Sequence, residues 1–293
     1  MNILNTIING LNTGVIYAMI ALGYTMVYGI AKMLNFAHGD IIMVGGYSLC
    51  VFCAINGSIP MFIVSVLISV VICTALGVGV EKVAYKPLRG SSPLAVLITA
   101  IGVSYLLQGL AQIIFGSEPR YVQVPELGTI TMGSFNLRVS TIITLVSASL
   151  IMVGLTLFVK YTKTGRAMVA VSEDKGAASL MGINVNNIIT ITFAIGSALA
   201  AISGLFYMLY SPFINNTFGA MPGIKAFTAA VIGGIGSIPG AMIGSIILGM
   251  IEAICNSIPA LSPYCDAIEF SILIILLLVK PTGILGKKRR EKV

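Results

Sequence analysis

The hydrophobic pattern of this chain consists of long apolar runs separated by short polar clusters. Six runs contain no Asp, Glu, Lys or Arg: 1–31, 41–80, 90–117, 139–159, 176–224 and 226–251. A helix that crosses the hydrocarbon core of a bilayer needs roughly 20 consecutive apolar residues, and each run is long enough to supply one. The pattern therefore predicts an all-α integral membrane protein, a polytopic helical bundle that forms one transmembrane domain over residues 1–293.

Turn-forming residues between and within these runs predict where the helices end. The predicted spans are 7–31, 41–56, 60–81, 93–115, 140–160, 187–210 and 262–280. The remaining apolar stretch, 225–256, contains Gly233-Gly234, Gly236 and Pro239-Gly240. We therefore expect about seven to eight spans, with a glycine-broken segment near 225–256 that either re-enters the membrane or crosses it twice. Such a break survives at membrane depth only where protein or water satisfies the backbone amides, so it points to a transport path.

A second glycine pair near the start of the chain has a similar setting. In the stretch NFAHGDIIMVGGY (35–47), Gly45-Gly46 follows a short apolar segment with a polar cap. Interrupted helices at corresponding positions of two repeats are common in transporters. Together these features predict a translocation path or gate formed by Asn35, His38, Asp40, Gly45, Gly46, Gly233, Gly234, Gly236 and Glu252. Two simpler alternatives stay open: Asn35 or Asp40 caps a helix from Ile41, and Glu252 lies at the membrane interface.

Composition and charge distribution support the membrane assignment and indicate an orientation. Only 9% of the residues are charged and 57% are hydrophobic, whereas about 25% are charged in ordinary soluble domains. The net charge of +7 does not indicate nucleic-acid binding, because the basic residues lie in loops between the apolar runs. Basic residues in short loops mark the cytoplasmic side. This predicts an outside N-terminus and a cytoplasmic C-terminus with a basic tail at 281–293. No Lys or Arg precedes the first run, so we do not expect a cleavable signal peptide.

One loop concentrates charge in a way that the rest of the chain does not. Six charged residues fall between Lys160 and Lys175. Thr164 is expected to cap one short helix and Asp174 a second one that ends at Gly182, with Ala177, Ala178 and Met181 forming a small apolar face. The loop either orients the neighbouring spans by its charge or provides a docking surface for a cytosolic partner.

Sequence motifs for catalysis or metal binding are missing from the chain. It contains no G-x-x-x-x-G-K-[ST] phosphate loop and no H-E-x-x-H or paired metal-ligand pattern. We therefore predict no catalytic residues, no metal site and no cofactor bound by this chain. Cys50 and Cys53 are interpreted as small apolar residues, and Cys255 and Cys265 bracket a loop across which a disulfide is possible.

Five stretches, in order along nearly the whole chain, resemble the permease subunits of high-affinity branched-chain amino-acid ABC importers of the LivH type. They are NFAHGD (35–40), YKPLRGSSPLAVLITAIGVSYLLQ (85–108), TGRAMVAVSEDKGAASLMGI (164–183), GIKAFTAAVIGGIGSIPGAMIGSIILG (223–249) and PTGILG (281–286). The resemblance implies a transport subunit rather than an enzyme, placed in the bacterial plasma (inner) membrane. It also implies inward movement of Leu/Ile/Val-type amino acids by alternating access.

The resemblance further implies partners and a coupling loop at about 161–186. The partners are a second related permease, two cytosolic ABC ATPases that carry ATP and Mg, and an extracytoplasmic substrate-binding protein. The implied ATPase-coupling residues are Gly165, Arg166, Ala170, Asp174, Ala177, Ala178 and Gly182. Relatives often carry a second basic residue where this chain has Val169. Alternatives are an ABC permease for another small solute, such as urea, amides or other amino acids, and an ATP-independent channel or carrier. Few intramembrane acids are available for proton or sodium coupling, which argues against an ion-coupled carrier.

Overall fold

The computed structural model describes residues 3–53, 59–125, 128–132 and 135–286. Its helices are α1 Ile3–Ala31, α2 His38–Cys53, α3 Ile59–Val80, α4 Pro93–Phe115, α5 Val139–Tyr161, α6 Lys163–Glu173, α7 Lys175–Leu180, α8 Val185–Tyr210, α9 Ala220–Gly233, α10 Ile238–Ser257 and α11 Cys265–Val279. A π-helical turn at Glu81–Tyr85 and a 3₁₀ turn at Lys86–Leu88 extend α3, and a 3₁₀ turn at Ser262–Tyr264 precedes α11.

Two short antiparallel strand pairs accompany the helices. Strands β1 (Arg120–Tyr121) and β4 (Phe213–Ile214) pair Arg120 with Ile214. Strands β2 (Thr129–Met132) and β3 (Phe135–Arg138) form a hairpin in register Thr129 to Arg138. The sequence pattern did not predict these strands, three of which lie in the connection from Gly116 to Arg138. They bring the end of α4, the beginning of α5 and the end of α8 to the same end of the bundle.

Seven helical stretches within the described residues are long and apolar enough to cross a membrane: 3–31, 59–88, 93–115, 139–161, 185–210, 238–257 and 262–279. The prediction of a polytopic helical membrane protein is therefore confirmed. The predicted span 41–56 corresponds to α2, which begins three residues earlier, at His38, and has 16 residues within the described part of the chain. Residues 54–58 lie outside the described part of the chain.

The centre of the bundle is α1, which packs against α8, α9 and α10. Small residues allow helix backbones to approach closely in membrane proteins. A Cβ atom at Gly249 would overlap the backbone at Gly14, and one at Gly10 would come within 3.1 Å of the Met250 Cα. By contrast, most of α4, α5 and α11 presents large apolar side chains outward. The central helices therefore form the protein core, and the outer helices expose a broad apolar surface.

Contacts between loops collect the basic segments at one end of the bundle. Lys175 Nζ donates to the Ala31 carbonyl oxygen at 2.9 Å, and Arg89 donates to Asn186 at the start of α8. The Ile284 amide donates to the Ile232 carbonyl at 2.9 Å. We call the end formed by Lys32, residues 82–92, 160–186 and 280–286 the basic end. The grouping of these loops follows the charge pattern of the sequence.

The glycine-broken segment forms a helical hairpin. Helices α9 and α10 are joined by residues 234–237, where Gly234 (φ 109°) and Gly236 (φ 92°) adopt left-handed backbone conformations suited to glycine. Glycines at the crossing remove side chains between the two backbones: Gly233 faces Gly240, and Gly244 faces Ala229. The order of these pairs shows that α9 and α10 run antiparallel. The predicted break is confirmed, and the chain runs along the bundle twice in this segment.

The predicted break at Gly45-Gly46 is wrong, because α2 continues through both residues. These glycines provide close packing instead. A Cβ atom at Gly45 would lie 3.2 Å from the Ala201 Cα of α8, and the Ser69 hydroxyl of α3 donates to the Gly45 carbonyl at 2.9 Å. Interior glycine in a helix costs up to about 1 kcal/mol relative to alanine, and the close helix contacts account for its presence here.

Candidate functional site

The most distinctive element of the basic end is the helix pair α6–α7. The Thr162 hydroxyl, rather than that of Thr164, accepts from the Gly165 amide at 2.9 Å and caps α6. As predicted, the Asp174 carboxylate accepts from the Ala177 amide at 3.0 Å and caps α7. Gly182 ends the turn with φ 80°, and the Ile183 amide donates to the Ala178 carbonyl at 3.0 Å.

Each helix of the pair has one face against the bundle and one face in solvent. Gly165, Met168, Val171 and Ala178 are buried, and a Cβ atom at Gly165 would overlap the α5 backbone at Phe158 and Val159. The solvent face carries Arg166, Asp174 and Ala177, with Ala170 half-buried. The predicted small face of Ala177, Ala178 and Met181 is therefore wrong, because Ala178 points inward and the other two point outward.

The tip of this pair exposes two large apolar side chains. Leu180 is 91% exposed and Met181 is 81% exposed. The tip is held in place by Lys175, whose ammonium group donates to the Ala31 carbonyl at the end of α1. Burial lowers the pKa of Lys175, and the positive charge of Arg89 lowers it further. We call Arg166, Asp174, Ala177, Leu180 and Met181 the α6–α7 surface; it suits a partner with an apolar cleft.

The interior polar residues predicted as a gate are buried and paired with other helices. The Asn35 carbonyl Oδ1 accepts from the Tyr85 hydroxyl at 2.8 Å, and Asp40 Oδ1 accepts from the Gln108 amide at 2.8 Å. His38 is 1% exposed, its ring lying 4.6 Å from that of Tyr24. The helix begins at His38 rather than Ile41, so Asn35 and Asp40 use their side chains between helices and not as the simple cap considered above.

The remaining predicted path residues lie at opposite ends of the bundle. Gly233, Gly234 and Gly236 form the α9–α10 turn at the basic end. Two carbonyl groups of α9 left free there, Ile232 and Gly233, accept from the amides of Ile284 and Leu285 at 2.9 Å each. The segment 281–286 thus closes the break by satisfying these two carbonyl groups at the end of α9. Its role, like that of the other path residues, stays a prediction. The tail beyond 286 lies outside the described residues.

Glu252 belongs to an ion cluster at the opposite end. Lys225 Nζ lies 3.2 Å from Glu252 Oε1, 2.8 Å from Asp266 Oδ1 and 3.3 Å from Glu269 Oε2. The cluster joins α9, α10 and α11. Lys225 was not among the residues predicted to form the path or gate. Its position inside a charge-poor stretch was the available signal. Cys255 and Cys265 carry free thiols, and Cys265 Sγ lies 3.5 Å from Glu269 Oε1.

Comparison with known proteins agrees with this geometry. Residues 6–278 match the profile of the family described as the permease component of branched-chain amino acid transport systems. The chain belongs to this family. The permease is 43% identical to the high-affinity branched-chain amino acid transport permease BraD of Pseudomonas aeruginosa, over 99% of this chain and 98% of that protein. It is 44% identical to LivH of Salmonella typhimurium, over 99% and 97% of the two chains.

A more distant relative indicates how broad the similarity is. The permease is 26% identical to the ribose import permease RbsC of Haemophilus influenzae, over 97% of this chain and 87% of that protein. The α6–α7 surface and the polar interior thus occur in a transport permease, in agreement with the resemblance found in its sequence.

Proposed function

We propose that the permease is the membrane-spanning subunit of an ATP-driven ABC importer that moves branched-chain amino acids inward. The observation that carries the proposal is the α6–α7 surface, an exposed apolar tip on two capped helices that are fixed to the central helix α1. A soluble ATPase can bind such a surface and transmit its own conformational change to the bundle. The identity of 43–44% to branched-chain permeases, against 26% to a ribose permease, favours Leu/Ile/Val-type cargo.

The proposed orientation places the basic end in the cytoplasm. Fourteen of the seventeen Lys and Arg residues of the sequence then lie inside, as the positive-inside rule requires. The N-terminus is outside and the C-terminus inside. The assembly comprises a second related permease, two cytosolic ATPases that hold ATP and Mg, and an extracytoplasmic substrate-binding protein.

Alternating access follows from how the α6–α7 surface is attached. Movement of an ATPase displaces α6 and α7 as one capped unit, since Asp174 joins them. The Lys175 bond to Ala31 and the close packing of Gly165 on α5 pass this displacement to α1 and α5. Because α1 also packs tightly on α10, the movement rocks the central helices about the α9–α10 hairpin and changes which side of the bundle is open.

Purification of the complex with uptake measurements tests this function. We expect the tagged permease to retain two ATPases and a second permease in mild detergent, and the complex in proteoliposomes to import labelled leucine only with internal ATP and binding protein. Leu180→Asp places a charge on the docking tip and should release the ATPases and abolish uptake. Val83→Asp is the matched control, because Val83 is 80% exposed at the same end but outside α6–α7.

Two results would contradict the proposed function or the proposed coupling. Recovery of the wild-type permease alone, together with leucine flux that does not depend on ATP, would show an autonomous channel or carrier. Uptake by Leu180→Asp at the wild-type rate would remove the α6–α7 surface from the coupling mechanism.

A further inference from the structure

A polar cavity opens at the end of the bundle opposite to the basic end. It has a volume of about 500 Å³ and lies between the beginning of α1, the beginning of α5 and the end of α8. Ligand sites for small molecules have volumes of roughly 300–1,000 Å³. The polar side chains that line it include Asn5, Asn9, Asn12, Arg138, Thr141 and Thr144.

The asparagines arise from a helical pattern in α1. Positions 5, 9 and 12 are spaced by four and three residues, so they share one face of the helix. Exposure changes along this face, from the solvent-accessible Asn9 to Asn12, which is only 5% exposed. The cavity is thus open to solvent near Asn9 and buried at Asn12, which forms its floor. Its floor is completed by Thr144 of α5, which is also buried.

Asn12 has an unmet hydrogen-bonding capacity. Its carboxamide oxygen Oδ1 is buried and has no hydrogen-bond partner among the described residues. An unpaired buried acceptor costs about 1–3 kcal/mol, so this oxygen on the cavity floor indicates a partner that binds in the cavity. The partner must carry an N–H or O–H donor and must fit the cavity above Asn12.

The lining matches a zwitterion with an aliphatic side chain. Arg138 lines the cavity, and its guanidinium group can donate to a carboxylate, whereas the Asn12 oxygen can accept from an ammonium group. Phe206 and Leu209 of α8 add an apolar wall. The side chains that line this cavity include no Asp or Glu, so the ammonium group meets a neutral acceptor. Binding of this kind is specific but weak enough to release the cargo onward.

We propose that this cavity is the outward-side binding site of the permease for a free α-amino acid, with Asn12 as acceptor for the ammonium group and Arg138 as partner of the carboxylate. This inference rests on the proposed import function and adds the site at which the cargo enters the membrane domain. Cargo handed over by the binding protein occupies the cavity before the central helices rock.

The test uses the complete complex in proteoliposomes and measures labelled leucine imported per ATP hydrolysed. Asn12→Leu removes the amide with little change in volume. We expect import per ATP to fall by roughly tenfold or more, the loss of one hydrogen bond to a charged group, while ATP hydrolysis stimulated by the binding protein persists. Thr13→Val is the matched control, since Thr13 follows Asn12 but does not line the cavity; its ratio should stay within about twofold of wild type.

The outcomes separate the two proposals. Wild-type complex without ATP-dependent leucine import would refute the proposed function itself. Wild-type import with an unchanged ratio in Asn12→Leu would leave that function intact and overturn the binding site. If Asn12→Leu does not assemble, Arg138→Gln, which removes the proposed partner of the carboxylate, serves in its place, and an unchanged ratio there overturns the site as well.

Discussion

Removing the amino group of Lys225 should destabilise the permease strongly. The Lys225 side chain is 9% exposed and faces three carboxylates on α10 and α11 at 2.8–3.3 Å. Two of them, Glu252 and Glu269, are themselves largely buried, whereas Asp266 is about half exposed. In Lys225→Met the two buried acids keep their place but lose their counter-charge.

The expected magnitude follows from burial. Breaking a buried ion pair by removing one partner costs about 3–5 kcal/mol, because the remaining charge is uncompensated. The Asp266 contact adds little, since exposed pairs contribute about 0–1 kcal/mol. At roughly 2–4 °C per kcal/mol for chains of comparable size, the loss corresponds to a decrease in melting temperature on the order of 10 °C.

Thermal unfolding of the detergent-purified complex measures this effect. Lys82→Met is the control, because Lys82 is exposed and makes no ion pair among the described residues. The triple variant Lys225→Met, Glu252→Gln, Glu269→Gln should regain most of the lost stability, since no buried charge is then unpaired. A melting temperature for Lys225→Met within 2–3 °C of wild type, the shift expected from about 1 kcal/mol, would refute the argument that the cluster is buried and coupled.

Three further substitutions test other parts of the structure. Gln108→Leu removes the donor to the buried Asp40 and should cost about 1.5–3 kcal/mol of stability, measured as a lower melting temperature. The melting temperature of Gln108→Glu should not return to the wild-type value. Asp174→Ala removes the α7 cap, worth about 1 kcal/mol, and should weaken ATPase retention in a pull-down more than Glu173→Ala does; equal retention would contradict the cap's role. Gly234→Leu forces a side chain into a left-handed backbone position against Gly286 and should abolish leucine uptake, whereas unchanged uptake would separate the α9–α10 turn from transport.

Several features of the fold could be predicted from local sequence alone. Helix limits followed from apolar runs and turn residues, and the α9–α10 break followed from Gly233, Gly234 and Gly236. The last two adopt backbone angles that no other residue takes at low cost. The Asp174 cap and the Gly182 stop were likewise local signals. The grouping of basic loops at one end required only the charge pattern.

Features that depend on packing between distant helices could not be predicted in this way. Gly45 and Gly46 look like a helix break in sequence, yet they serve close contacts with α3 and α8, and nothing in the local sequence distinguishes the two uses. The direction of Ala178 depends on where α5 lies. The Lys225 cluster combines residues from three helices. Asn5, Asn9 and Asn12 have a helical spacing in the sequence, but they line a cavity only because α5 and α8 lie beside α1.

The closure of the α9–α10 turn by residues 281–286 has a consequence for biogenesis. Gly233 and Leu285, which bond across this closure, are 52 residues apart in the sequence. At about 5–20 residues per second, a ribosome needs roughly 3–10 s to synthesise that interval. During this time the carbonyl groups of Ile232 and Gly233 lack these hydrogen-bond partners. A chain interrupted in this interval lacks both hydrogen bonds, so we expect its α9–α10 turn to stay open.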